Sequence, residues 1–303
     1  MLANAKFSLI TKLIVNKDAV STFEVVSYNE IISVSSDKSI TVFDKFFHIF
    51  QKIENAHNST IFDISLKDKN NFATCSGDKS IKTWKKSDDG KYKLNLSIND
   101  IHENDIHKII YLEDDTIISG SKDQKIKILN LNNNEYHCNI IIDQNNQIFS
   151  LLYLKEENLL ISSGLNYMNF YNILNLLNPL ITKIEAYCHG KNSLQKIDDK
   201  RIVVGGKKFI QIISIEEKKI IKEIKNDFLV WAICVIREKK IFLCGGTSPD
   251  ITLINSDSYE KIKFINCHSQ YIRGISLLKN GKIISGSEDN STKIWELEYE
   301  ENK

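Results

Sequence analysis

His57, His102 and His268 each stand 21 residues before an aspartate: Asp78, Asp123 and Asp289 respectively. Hydroxyl side chains lie between the members of every pair. The set therefore invites reading as Ser/His/Asp nucleophilic machinery, in which an imidazole takes the proton of a hydroxyl. A nucleophile needs no copies, however, and this spacing recurs three times. A buried carboxylate that needs donors accounts better for the recurrence, because imidazole and hydroxyl supply them. No catalytic residue is assigned.

Other chemistry is sparse. The chain contains no GxxxxGK[ST], no GxGxxG before a helix, no HExxH and no GxSxG. Asp88-Asp89, Asp114-Asp115 and Asp198-Asp199 are carboxylate pairs, but each falls in an expected hairpin turn, where Asp is ordinary. Six cysteines occur without a CxxC pair. Cys188-His189 and Cys267-His268 suggest metal ligation, yet neighbouring side chains on a strand point to opposite faces. The expectation is reduced thiols, no metal and no cofactor. His107 and His137 have no partner identifiable from spacing.

The elements that carry these residues repeat. ISVSSDKSITVFD (32–44), ATCSGDKSIKTWK (73–85), ISGSKDQKIKILN (118–130) and ISGSEDNSTKIWE (284–296) share one pattern: an apolar run, a Ser/Gly/Asp turn, then alternation. Indexed by Phe43, Trp84, Leu129, Tyr171, Ile213, Ile254 and Trp295, the steps are 41, 45, 42, 42, 41 and 41 residues. Each unit holds about four short β runs, and only Pro179 and Pro249 interrupt the chain, so helix should be close to absent. Four strands at this period are the signature of a propeller blade.

Lys plus Arg is 40 against 39 for Asp plus Glu, which removes the electrostatic argument for nucleic acid or an anionic membrane. The opening MLANAKFSLITKLIVNKD is broken by Lys6 and Lys12 and lacks a cleavage site, so it does not read as a signal peptide. No run reaches the length of a spanning helix. A soluble, cytoplasmic chain is expected, with nuclear or cytoskeletal association open.

The residues resemble the WD-repeat (WD40) β-propeller family, whose blades carry a His before the first strand and end the third with Trp-Asp. The resemblance implies hydrogen-bonded tetrads at His57, Thr74, Asp78 and Trp84, and at His268, Ser285, Asp289 and Trp295. Departures are Leu129 in place of Trp, Asn16 in place of the first His, and Leu165, Lys207 and Ser248 in place of the turn Asp. Blade 5 is some four residues short between its first and third strands. The expected fold is all-β: a single seven-bladed propeller over 1–303, with four-stranded antiparallel blades. After Trp295 too little chain remains for a fourth strand, so the run at 6–15 is expected to pair as the outer strand of blade 7 and close the ring.

Partners of such propellers commonly touch the face whose loops enter each first strand. Projected onto this chain, that face carries Phe62, Asp105, His107, Lys122, Phe149, Trp231, Tyr271, Arg273 and Glu288 as protein-binding candidates. Flanking positions add Ala19, Ser21, Ser36, Thr60, Gly77, Gln147, Ser193, Gln195, Leu229 and Thr247. Trp, Tyr and Arg are enriched at binding hot spots. The implied role is a non-catalytic scaffold or adaptor, a subunit of a larger complex that binds a protein or peptide. The alternatives are a ubiquitin-ligase substrate receptor and a ribosome-associated signalling scaffold. A propeller hydrolase ranks behind them, since only Asp105 and Glu288 are carboxylates on that face.

Overall fold

The computed structural model describes residues 5–298 except 133–134, 176–178, 187 and 189, and except the side chain of Ile141. His189 thus lies outside the described residues. Strands dominate, and the helical content among the described residues is a single 3-10 turn at Arg237–Lys239. The strands form seven four-stranded antiparallel sheets, six of them built from consecutive strands. The seventh sheet is composite. Its first three strands are Ile272–Leu277, Ile283–Ser287 and Ser291–Glu298, and its outer strand is Lys6–Ile14. Phe7 stands opposite Leu297 and Leu13 opposite Thr292, with a bulge between Leu9 and Thr11.

Two local rules make the blades. Alternating apolar residues send side chains to both faces of each strand, and both faces are buried because every sheet is sandwiched between two others. Val34, Ile40 and Val42 of blade 1 accordingly pack with Ile61, Phe72 and Trp84 of blade 2. The Ser-x-Asp-x turn supplies the second rule. Lys38, Lys79, Gln124 and Asn290 each follow a turn Asp and take φ of 71°, 66°, 73° and 62°, the left-handed conformation of tight hairpins. The Asp holds that turn by accepting the N–H two residues on, as Asp78 does from Ser80 at 3.0 Å.

Blade 5 departs from the pattern at its inner edge. Its first strand is only Leu194–Lys196, because the preceding residues leave the sheet and cross to blade 6. Asn192 N–H donates to Trp231 O at 3.2 Å, and Ile233 N–H donates to Asn192 O at 2.8 Å. The residues before this short first strand thus form a cross-blade strap.

Candidate functional site: the mouth of the channel

Two kinds of site occupy the face that bears the entry loops. The first is structural. In blade 2, His57 Nε2 lies 2.8 Å from Thr74 Oγ1, Trp84 Nε1–H donates to the same oxygen at 2.9 Å, and His57 Nδ1 lies 3.1 Å from Asp78 Oδ2. An ionised carboxylate only accepts, so Nδ1 carries the proton and the Thr74 hydroxyl donates to Nε2. Blade 7 repeats the chain through His268, Ser285, Trp295 and Asp289 at 2.7, 2.8 and 2.9 Å. Blade 3 keeps His102–Ser119 and His102–Asp123 at 2.9 and 2.8 Å, but Leu129 offers no indole donor.

Burial works to raise the Asp78 and Asp289 carboxyls and is outweighed by their hydrogen bonds, from His57, Ser80 and Asn58 N–H in one and Ser291, Ser269 N–H and His268 in the other. Both fall below the ordinary carboxylate range. Burial holds the two imidazoles neutral, His268 down to about 4. Each Thr or Ser hydroxyl is already committed to the indole and the imidazole, so it is not free to attack a substrate.

Asp78→Ala should cost roughly 2–4 kcal/mol, because His57 Nδ1–H and the Asn58 and Ser80 N–H groups lose their acceptor. Asp88→Ala, at an exposed turn, should stay within about 0.5 kcal/mol. Urea midpoints of the two variants check the contrast; equal shifts would remove the tetrad's structural role.

Sequence reasoning missed two substitutes. Gln144 stands where blade 4 would carry its His and exchanges hydrogen bonds with Ser162 at 2.7 and 2.9 Å. In blade 6, Asp250 accepts from Asn266 N–H at 2.8 Å and pairs with Lys263 at 3.0 Å, a clasp displaced two residues past the expected turn position. An amide in the place of an imidazole, and an Asp two residues late, were the available signals.

These repeats now have counterparts elsewhere. The WD domain, G-beta repeat family matches at residues 49–85 and 259–296, which carry the two complete tetrads. The WD repeat domain-containing protein 83 homolog of Dictyostelium discoideum is 36% identical over 69 residues, covering 22% of this chain and 21% of the relative. The two matched segments are WD repeats, and the fold that holds them is a seven-bladed β-propeller. The similarity therefore spans about a fifth of either chain, and proteins of this family are typically non-catalytic interaction scaffolds.

The second site of the WD propeller is a cavity of about 210 Å³ on this face. Phe62, Trp231 and Arg273 line it, as do the hydroxyl residues Ser21, Ser36 and Thr60. Gly190, Lys191 and Asn192 of the cross-blade strap complete the wall. Two aromatic groups flank it. On one side Tyr271 meets Trp231 edge to face at 5.6 Å, the Arg273 guanidinium lies 4.1 Å from the Trp231 ring, and Arg273 pairs with Glu288. On the other, Phe62 meets His107 edge to face at 5.2 Å and Phe149 stacks on the same imidazole at 5.0 Å.

Several expected face residues sit differently. His107 is buried, with its Nδ1 3.2 Å from Ile148 O, so it props Phe62 and Phe149 from beneath and does not meet solvent. Burial first, and the Lys191 cation second, lower its pKa to about 3. Ala19 and Ser193 are also buried. Ser193 donates to Gly190 O at 2.8 Å, because the strap moves the cavity-lining position of blade 5 back to the half-buried Lys191 and Asn192. Lys122 is exposed and Asp105 half-buried, both outside the cavity wall. Phe62, Trp231 and Arg273 are half-buried, while Tyr271 is 42% exposed.

Beneath the strap lies a charged group the face projection did not include. Lys108 Nζ donates to Asp63 and to Asn192 Oδ1, at 3.0 and 2.9 Å. Asp63 also accepts Ile109 N–H at 3.1 Å. Glu24 stands near both charges; burial raises its carboxyl to about 7 against the pull of Lys108. Charged residues inside otherwise apolar inner strands, FEVV and IFDIS, were the overlooked signal. Among the described residues no group of three or more His, Cys, Asp or Glu is arranged to hold a metal ion. No described helix is long and apolar enough to cross a membrane.

Proposed function

We propose that this WD propeller is a non-catalytic adaptor, a subunit of a larger assembly that docks a protein or peptide across the channel mouth. The observation that supports this reading best is the Tyr271–Trp231–Arg273–Glu288 chain at the cavity edge. Aromatic rings and a guanidinium, pre-positioned by one another, lose little freedom when a partner covers them. Phe62 and Lys191 offer a second contact across the opening. Committed hydroxyls in the tetrads and the family's usual role both favour recognition over bond-making.

Affinity purification with quantitative mass spectrometry tests the reading. Tyr271→Ala combined with Arg273→Ala should leave the melting transition within a few degrees of the parent. It should deplete bound partners at least about tenfold, the effect of losing one hot spot of roughly 1.4 kcal/mol or more. Ile221→Ala, on the exposed outer strand of blade 5, should retain the full set. Identical partner recovery from all three baits would reject the chosen face.

A further inference from the structure

The strap that crosses from blade 5 brings a second cation to a cavity that already holds one. Gly190 makes the crossing possible: a Cβ there would stand 2.4 Å from Trp231 Cα and 2.7 Å from Val230 O. Only glycine lets the backbone lie this close to blade 6. The next residue, Lys191, then places its ammonium 2.9 Å from the centre of the Phe62 ring. Among the described residues Lys191 Nζ makes neither a hydrogen bond nor an ion pair. Arg273 shares one end of its guanidinium with Glu288, but its Nε is buried without a hydrogen-bond partner. Among the described residues no carboxylate lines the cavity.

Two cationic side chains with unused donors, no acidic residue in the wall and three hydroxyls form an unbalanced site. A desolvated cation without a counter-charge is costly. The Lys191 amine registers that cost. Burial first, and the Arg273 guanidinium second, hold it well below its ordinary value, although Cys75, Asp105 and Asp63 pull the other way. An entering negative charge would reverse both the electrostatic cost and the missing hydrogen bonds at one stroke.

We infer that the cavity is an anion-recognition pocket. A carboxylate or phosphoryl group enters between Lys191 and Arg273, and the hydroxyls of Ser21, Ser36 and Thr60 serve as further donors. The inference rests on the docking face proposed above only for the source of the anion, which is an acidic or phosphorylated side chain of the docked chain. Capture of the free ion depends on the pocket alone.

The test follows the reactivity of one amine in the full-length protein. Trace acetylation by an activated ester is measured at pH 7, peptide by peptide, in chloride, acetate and phosphate of equal ionic strength. Exposed Lys122 on the same face is the internal reference. A bound anion covers Lys191 and keeps it protonated. Once the pKa of the amine stands above the assay pH, each further unit of recovery toward its ordinary value cuts the reactive fraction roughly tenfold. Saturable protection by both acetate and phosphate supports the pocket and assigns it to carboxylates as well. Protection by phosphate alone supports it and assigns it to phosphoryl groups. No saturable protection by either ion, relative to Lys122, overturns the inference. Arg273→Gln should abolish the protection while its melting curve stays cooperative, and persistence of protection in that variant also overturns it. Loss of partners in the Tyr271 experiment could stand with either outcome, so the two readings fail separately.

Discussion

Deletion of Lys6–Ile14 is expected to abolish cooperative thermal unfolding of the WD propeller, and a peptide covering residues 1–18, added in excess, should restore it. This strand is the outer member of blade 7 and joins it through eight paired positions, from Lys6 opposite Glu298 to Ile14 opposite Ser291. It also covers the core. The Phe7 ring stacks on Trp295 at 4.8 Å and on Phe264 of blade 6 at 4.9 Å. Without it, Trp295 and Leu297 would meet water, and the third strand of blade 7 would expose an unpaired edge. The loss is expected to exceed about 5 kcal/mol, comparable with the whole stability of an ordinary domain. A graded version separates packing from pairing. Phe7→Ala should cost roughly 2–3 kcal/mol, whereas Leu9→Ala, at a side chain 49% exposed, should fall within about 0.5 kcal/mol. Circular dichroism melts of these chains decide the matter: a truncated protein with the parent's transition would mean the ring holds without its clasp.

That clasp is legible in the sequence, and the strap is not. The reason is physical. A blade must satisfy its turn, its alternation and its packing against two neighbours at once, so Gly-Asp-Lys followed by SIKTW is dictated at many positions together. An orphan apolar run of strand length, with one blade lacking a strand, had a single place to go. Lys191 obeys none of those constraints. It lies in CHGKNSLQK, where the repeating phrase fails, and its position depends on a parallel bridge between Asn192 and Ala232 that no periodicity announces. The short blade 5 and the glycine beside it were the only hints. His107 failed for a related reason. Alternation marked it correctly as an inner-strand residue near the entry loops, but alternation cannot say that Phe62 and Phe149 close over it. Gln144 and Asp250 show a third case, in which the hydrogen-bonding duty is kept while the residue type or its position changes.

The buried imidazoles make stability fall with acid well before the carboxylates respond. His268 and His107 titrate near 6.5 when unfolded and near 4 and 3 when folded. Between those values the unfolded chain binds a proton that the native state refuses, so stability is full above about pH 6.5 and is lost as pH falls toward the folded values. Each group contributes a loss of about 1.4 kcal/mol per pH unit within its window, or roughly 2 kcal/mol apiece at pH 5. The depressed carboxyls Asp78 and Asp289 act later: their contribution is present above about pH 4 and disappears only as pH drops through their folded values. His107→Phe isolates one imidazole. It keeps a ring between Phe62 and Phe149 and gives up the bond to Ile148 O, a cost of about 1 kcal/mol at pH 7.5. By pH 5 the variant no longer pays the proton penalty and should equal or exceed the parent in urea midpoint. A stability gap between the two proteins that stays constant from pH 7.5 to pH 5 would show that His107 is protonated as readily in the fold as outside it.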